Sequence, residues 1–248
     1  MRERRRARKR CSHRSEAAHR PPQARIPGTT LARMWSLRRA AGLLAFLVLL
    51  LVAAVFAMGA LRVSFSGTEA EMAAAGSAAE AAGVPIDSWK TLVVASSGSV
   101  GAPADRVWEL FSRIEEWPAW SPLHRGARWT GEPGFRVAGG FEEVLALGFP
   151  VGTIRSEEFV TRLAPGREVI WCRSEGGVTS CHVWRFTAVT PERTFVVNAE
   201  VFHGAPVGVL APFVQSRWSR LFQQSVSGLA RAAETIRPDS GAPPAAAP

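Results

Sequence analysis

The residues in this 248-residue chain whose types and spacing could do chemistry gather around one glycine pair, Gly176-Gly177. If the pair forms a two-residue hairpin turn, Trp171 faces His182, Val169 faces Trp184 and Cys172 faces Cys181. Counted from a hydrogen-bonded closing pair Glu175/Val178, the cysteines fall at a non-hydrogen-bonded position, where Cα atoms come to about 4.5 Å. That separation suits a disulfide, and the spacing excludes a CxxC metal site. Alternation then puts His182, Trp184 and Phe186 on one face with Trp171 and Val169, and Cys181, Val183, Arg185 and Thr187 on the other. The first face is the more aromatic and is expected to point inward. An inward His182 reads first as a hydrogen-bonded core residue and second as an acid–base group. Asn198 with Glu200, and Arg155 with Glu157, share strand faces and are expected to meet solvent. If either pair turned inward it would mark a buried polar patch. His124 takes no role from the sequence.

The elements that must hold these residues follow from periodicity. Thr91–Ser97 suits a strand. A helix starts near Pro103 with Asp105 in its first turn, carries Val107, Trp108, Phe111 and Ile114 as an apolar stripe, and ends at Pro118. Turn signals then separate strands near His124–Thr130, Phe135–Leu147, Thr153–Leu163, Glu168–Ser174, Val178–Thr190 and Thr194–Phe202. Apolar residues from Leu210 to Ile236 recur at three and four, predicting one long amphipathic helix with Pro212 in its first turn and Pro238 beyond its end. Short hairpin connections imply an antiparallel meander. A long helix laid across such a sheet makes a two-layer α+β domain.

Upstream, Ala40–Leu61 is 22 residues without a charge or a proline. A helix of about 1.5 Å per residue would then reach roughly 33 Å, the thickness of a bilayer core. Residues 1–39 carry thirteen Lys and Arg against two Glu, a balance of +11, so the chain's net +9 leaves −2 for everything beyond. The arginines crowd one flank of the apolar run. The positive-inside rule therefore keeps the N-terminus cytoplasmic, with the C-terminal domain extracytoplasmic. The expected organisation is a basic disordered tail at 1–39, with Met34 as an alternative start, and a transmembrane helix at 40–61. A linker at 62–88, partly helical around Glu69–Ala82, a folded domain at 89–237 and a disordered tail at 238–248 complete it. Small residues near Ala57–Ala60 keep a cleaved signal peptide open beside a retained anchor. Exported thiols oxidise, whereas Cys11 on the cytoplasmic side stays free. No reading module or interleaved aromatics accompany the arginines, so no nucleic-acid partner is expected.

The run SVGAPADRVWELFSRIEEWPAWSP, with its APADRVWELF helix and W-x-x-W-x-P segment, resembles the opening of the START-like superfamily, the SRPBCC or polyketide cyclase/dehydrase family. The closing helix Ala211–Ile236 agrees with it, and the resemblance spans Lys90–Ile236. It implies a helix-grip fold, a curved antiparallel sheet of about six to seven strands wrapped on the C-terminal helix. It further implies a cavity between sheet and helix lined by apolar and aromatic groups. The residues expected there are Trp108, Phe111, Trp117, Trp120, Trp171, His182, Trp184, Phe186, Trp218 and Phe222, with Trp117 and Trp120 at the mouth. Nine Trp and 13 Phe supply that surface, and core packing competes for them.

Such a fold hosts many activities. The favoured expectation is a membrane-anchored domain that binds a hydrophobic small molecule or lipid without chemistry, needing no cofactor or metal. The alternatives are a cyclase- or hydratase-like enzyme and a non-catalytic envelope interaction module with a filled core. No GxSxG, HExxH, GxxxxGK[ST] or strand-linked GxGxxG is present, and the chain has no Tyr. His182, Glu200 and Arg155 remain as the catalytic candidates.

Overall fold

The computed structural model describes residues 39–54 and 65–235. The chain divides into two compact units, Met1–Leu50 and Leu51–Pro248, with the boundary inside helix α1 (39–54). Helix α1 is apolar with its side chains exposed, Leu49 and Leu51 by about two thirds. Among the described residues no helix is long and apolar enough to cross a membrane. The predicted span ran to Leu61, and its last seven residues lie outside the described part, as do the basic tail and the segment from Ile236 onward.

The second unit is built on one seven-stranded antiparallel sheet: β1 (Thr91–Val100), β2 (His124–Trp129), β3 (Gly140–Gly148), β4 (Gly152–Ala164), β5 (Glu168–Glu175), β6 (Val178–Thr190) and β7 (Arg193–His203). Its spatial order is β1-β7-β6-β5-β4-β3-β2, a meander closed by β7 returning beside β1. The Gly176-Gly177 turn has both φ angles positive, 59° and 76°, the conformation of a tight hairpin that glycine adopts without strain. The resulting register pairs Trp171 with His182 and Cys172 with Cys181. Cys172 and Cys181 are disulfide-bonded, with Cα atoms 4.1 Å apart. Strand β3 begins five residues later than the periodicity predicts. Phe135 lies in the preceding loop, where it packs on the core.

Between β1 and β2 run α3 (Ala104–Ser112), a short 3-10 turn (Ile114–Glu116) and α4 (Trp117–Trp120). The long α5 (Ala205–Thr235) crosses the sheet, in contact with β1, β7, α3 and α4. It starts six residues earlier than predicted, so Pro212 sits inside the helix instead of in its first turn. Proline at that point gives up the hydrogen bond to the Gly208 carbonyl. The first turns are held by packing instead, since a Cβ at Gly208 would lie 2.6 Å from the Trp89 ring. Farther along, a Cβ at Gly228 would lie 1.8 Å from the Trp120 carbonyl oxygen, so α5 and α4 meet backbone to backbone.

The segment expected to be a linker is a packed element. Helix α2 (Glu69–Ala82) starts with a capping box between Thr68 and Glu71 and stops at left-handed Gly83. Its Ala74, Ala75, Ala78 and Ala79 are buried against Val93, Ile170, Val183, Val197, Ala199, Val201 and the disulfide on the sheet face opposite α5. Alanine's small side chain lets the helix lie close to the strands. The sheet is thereby covered on both faces, and the fold is three layers where two were expected.

Candidate functional site

The sheet face under α5 carries three zones. At one end rings fill the space: Trp108, Phe111, Trp117, Phe135, Phe141, Trp171, Trp184 and Phe186 pack with centroids 5.0–6.4 Å apart. At the other end the lining is mostly aliphatic, from Leu92, Val94, Leu123, Leu145, Leu147, Val207 and Val214, with the rings of Phe202 and Trp218 among them. Between them the inward positions of five strands form a buried polar belt. It comprises His124 of β2, Glu143 of β3, Ser156 and Glu158 of β4, Ser180 and His182 of β6, and Asn198 and Glu200 of β7.

The belt's proton positions follow from its acceptors. Ser225 on α5 donates to the Leu221 carbonyl and so accepts from Ser121, 2.8 Å away. Ser121 Oγ, its own proton spent, accepts from His124 Nδ1 at 2.7 Å. Nε2 of His124 is then the bare nitrogen, and it faces Glu143 Oε2 at 3.3 Å with neither atom otherwise satisfied. A proton on Glu143 joins them. Burial drives both groups that way, holding His124 neutral down to about pH 3 and raising Glu143 to about 8. The second pair repeats the pattern. His182 Nε2 donates to Asn198 Oδ1 at 2.5 Å, leaving Nδ1 to accept from Glu200, 3.3 Å away. Burial lowers His182 to about 3 and raises Glu200 well above the usual carboxylate range, with Glu158 and Glu143 adding repulsion. Glu158 is raised to about 8, first by burial and then by Glu143; Ser156 donates to it. Three carboxyls share a low-dielectric space with one nearby cation, Arg173, so the neutral acids are the stable species.

A cavity of about 510 Å³ opens at the aliphatic end. Its wall runs from Leu92, Leu147, Val151 and Ile154 over Val178 and Phe202 to Val207, Leu210, Val214 and Trp218 of α5, with Arg155, Arg173 and Glu175 as its charged residues. Arg173 connects the cavity to the belt: its Nε lies 3.4 Å from Glu158 and 3.3 Å from Ser180 Oγ. Next to the lining, the β3–β4 hairpin tip exposes Phe149 (89%) and α5 exposes Phe213 (59%). Arg217 bonds the Leu147 carbonyl at 3.0 Å and ties the hairpin to α5.

The predicted site residues separate accordingly. Trp218 lies on the cavity wall. Trp108, Phe111, Trp117, Trp120, Trp171, Trp184 and Phe186 belong to the ring-filled end, where they satisfy one another rather than line a void. Phe186 also borders a second hollow of about 490 Å³ with Arg167, Glu168 and Arg185. His182 is stacked among Trp171, Trp184 and Phe222, away from the cavity wall. Glu200 and Asn198, expected at solvent, are buried in the belt. Arg155 and Glu157 are exposed as expected, and Arg155 pairs with Glu142. Sequence reasoning missed Glu143, Glu158 and Arg173. The hairpin register that placed Trp171 inward also placed Arg173 inward, two residues on. Among the described residues no group of His, Cys, Asp or Glu is arranged to hold a metal ion.

A curved antiparallel sheet gripping a long C-terminal helix, with a lined hollow between them, defines the helix-grip class of α+β domains. Within that class, the chain belongs to the polyketide cyclase/dehydrase and lipid transport family, whose model matches residues 91–234. Similar solved structures include the Zhui aromatase/cyclase of Streptomyces sp. R1128, 18% identical with a TM-score of 0.48 over 61% of this chain and 98% of that one. A hypothetical protein of Helicobacter pylori is 14% identical with a TM-score of 0.49, over 57% of this chain and 88% of that one. A norcoclaurine synthase of Thalictrum flavum is 16% identical with a TM-score of 0.45, over 58% and 94%. Comparison with curated proteins finds no match.

Proposed function

We propose that this protein is a membrane-tethered, extracytoplasmic domain that holds a hydrophobic small molecule or lipid between sheet and C-terminal helix. The observation that carries the reading is the cavity of about 510 Å³ with ten apolar residues on its wall. Its volume lies in the range of small-molecule sites. Trp218 lays its ring on that wall. The tether is read from sequence: the apolar Ala40–Leu61 run with its arginine-rich flank. Tethering beside a bilayer raises the effective concentration of a lipid ligand. Native mass spectrometry of the full chain released from detergent tests the reading. A discrete added mass, extractable into solvent as an apolar compound, is expected. A bare chain that stays bare after incubation with a lipid extract would leave the filled-core interaction module in its place.

Acid catalysis is the second reading, and Glu158 favours it: a carboxyl raised to about 8 lies beside the cavity-lining Arg173. A protonated acid at neutral pH is what a cyclase- or dehydratase-like step requires. His182 is held by Asn198 and Glu200 and is not the acid this reading would use.

A further inference from the structure

Arg173 is the cavity residue that joins the hollow to the polar belt, and its bonding does not close. Its side chain is only 18% exposed, and a guanidinium has five N–H donors. It makes one hydrogen bond, from Nε to Ser180 Oγ at 3.3 Å. Glu158 Oε1 lies 3.4 Å from Nε without hydrogen-bond geometry and accepts from Ser156 instead. Glu175 Oε2 stands 3.7 Å from Nη1, beyond bonding range, on a side chain 76% exposed. Nη2 has no partner among the described residues. The other arginine on the wall, Arg155, is engaged by Glu142. A partly buried cation, its Nη donors open to the hollow rather than sealed in protein, therefore ends an otherwise apolar space. The fork of such a group matches a planar anion bidentately.

We infer that the cavity takes an amphiphile with a carboxylate head, which docks bidentately on Arg173 while its hydrocarbon lies along Leu92, Leu147, Phe202, Val214 and Trp218. This rests on the binding reading above. Burial supports the exchange, because Glu143 and Glu158, both raised to about 8, do not compete as anions at neutral pH. Glu175 is the one carboxylate on the wall that does compete, from the rim.

The test uses the full chain in detergent with a neutral solvatochromic dye as reporter. A long-chain fatty acid, the alcohol of the same chain and the alkane are titrated as competitors. In the unaltered protein the acid is expected to displace the dye about tenfold or more better than the alcohol, the advantage of a charge-assisted fork. Arg173→Met should bring acid and alcohol within about twofold of each other, and Glu175→Gln should widen the acid's preference severalfold. Comparing variants cancels partition into detergent. If Arg173→Met does not fold, Arg173→Lys replaces it; it keeps the cation, loses the fork and should lose most of the preference. Acid and alcohol competing equally in the unaltered protein, with the dye bound, would overturn the carboxylate assignment and leave the cavity reading intact. Failure of the dye to bind at all would overturn both.

Discussion

The two ends of the space between the sheet and α5 share the same layers, the same helix and the same curvature, yet one is solid and the other hollow. The solid end is built from Trp117, Trp171, Trp184, Phe111 and Phe141, which are at most 1% exposed and lie ring against ring. The hollow end is built from aliphatic side chains, with Phe202 and Trp218 as its rings, and its wall is completed by a hairpin tip instead of a strand. Aromatic rings fill volume by stacking on one another, so abundance of rings in a sequence marks where a cavity is not. Branched aliphatics around a loop leave space. Between the ends lies the polar belt, and its three neutral acids separate a dry core from a solvent-reachable hollow.

Truncation should break the symmetry between the ends. Trp171→Ala, which would open a void inside the ring stack, is expected to destabilise by about 3–5 kcal/mol in urea unfolding. Trp218→Ala, at a wall that already borders space, should cost less than half of that. Equal losses would mean that the two ends are packed alike.

The closed side of the helix is next in size. Gly228→Val must push α5 off the Trp120 carbonyl and should cost on the order of 2–3 kcal/mol, lowering the thermal midpoint. A neutral effect would show that α5 does not press on α4 there. Opening the Cys172–Cys181 bond with Cys181→Ser should remove about 2–3 kcal/mol by freeing the unfolded chain. Its Sγ atoms lie on the α2 face, so ligand binding should persist.

The belt predicts a pH profile of a definite sign. Glu143 and Glu158 keep their protons to about pH 8 in the fold, whereas the unfolded chain releases them near the ordinary carboxylate value. The folded state then holds more protons, so stability falls as pH rises through that window. His124 and His182 act in the opposite sense. Unfolded imidazoles take up protons below about 6.5, and the folded ones only near about 3, so stability also falls as pH drops through that range. The expected profile is a mildly acidic plateau with a decline toward pH 8. Glu143→Gln should flatten the alkaline limb by about 1.4 kcal/mol per pH unit. A limb unchanged in the variant would show that Glu143 ionises normally.

Much of this was legible beforehand, and the boundary has physical causes. The disulfide and the inward face of β6 could be derived because a glycine pair with two positive φ angles leaves one hairpin register. Arg173 was equally derivable from that register. Glu143 was not, because GFEEVLALG has adjacent acids and adjacent apolar residues and so carries no period-two signal. Helix α2 was placed in sequence but not in space. Its buried stripe is alanine and its exposed positions include alanine, so only the sheet beneath it decides which face is inside. The position of the cavity depends on how rings pack in three dimensions, which their number does not record.

The smallest expected change in stability is also informative. Val207→Trp, projecting into the hollow end, should alter the unfolding free energy by less than about 1.5 kcal/mol, since it fills existing space, while abolishing dye binding. A large loss of stability would mean the space is not there.

A crystal structure of the protein soaked with a brominated long-chain ligand, with the bromine located by its anomalous signal, decides which end is hollow. The peak is expected between β1, β7 and the first half of α5, within contact of Phe202, Val214 or Trp218. A peak among Phe111, Trp117 and Trp184, or none inside the domain, would contradict that placement.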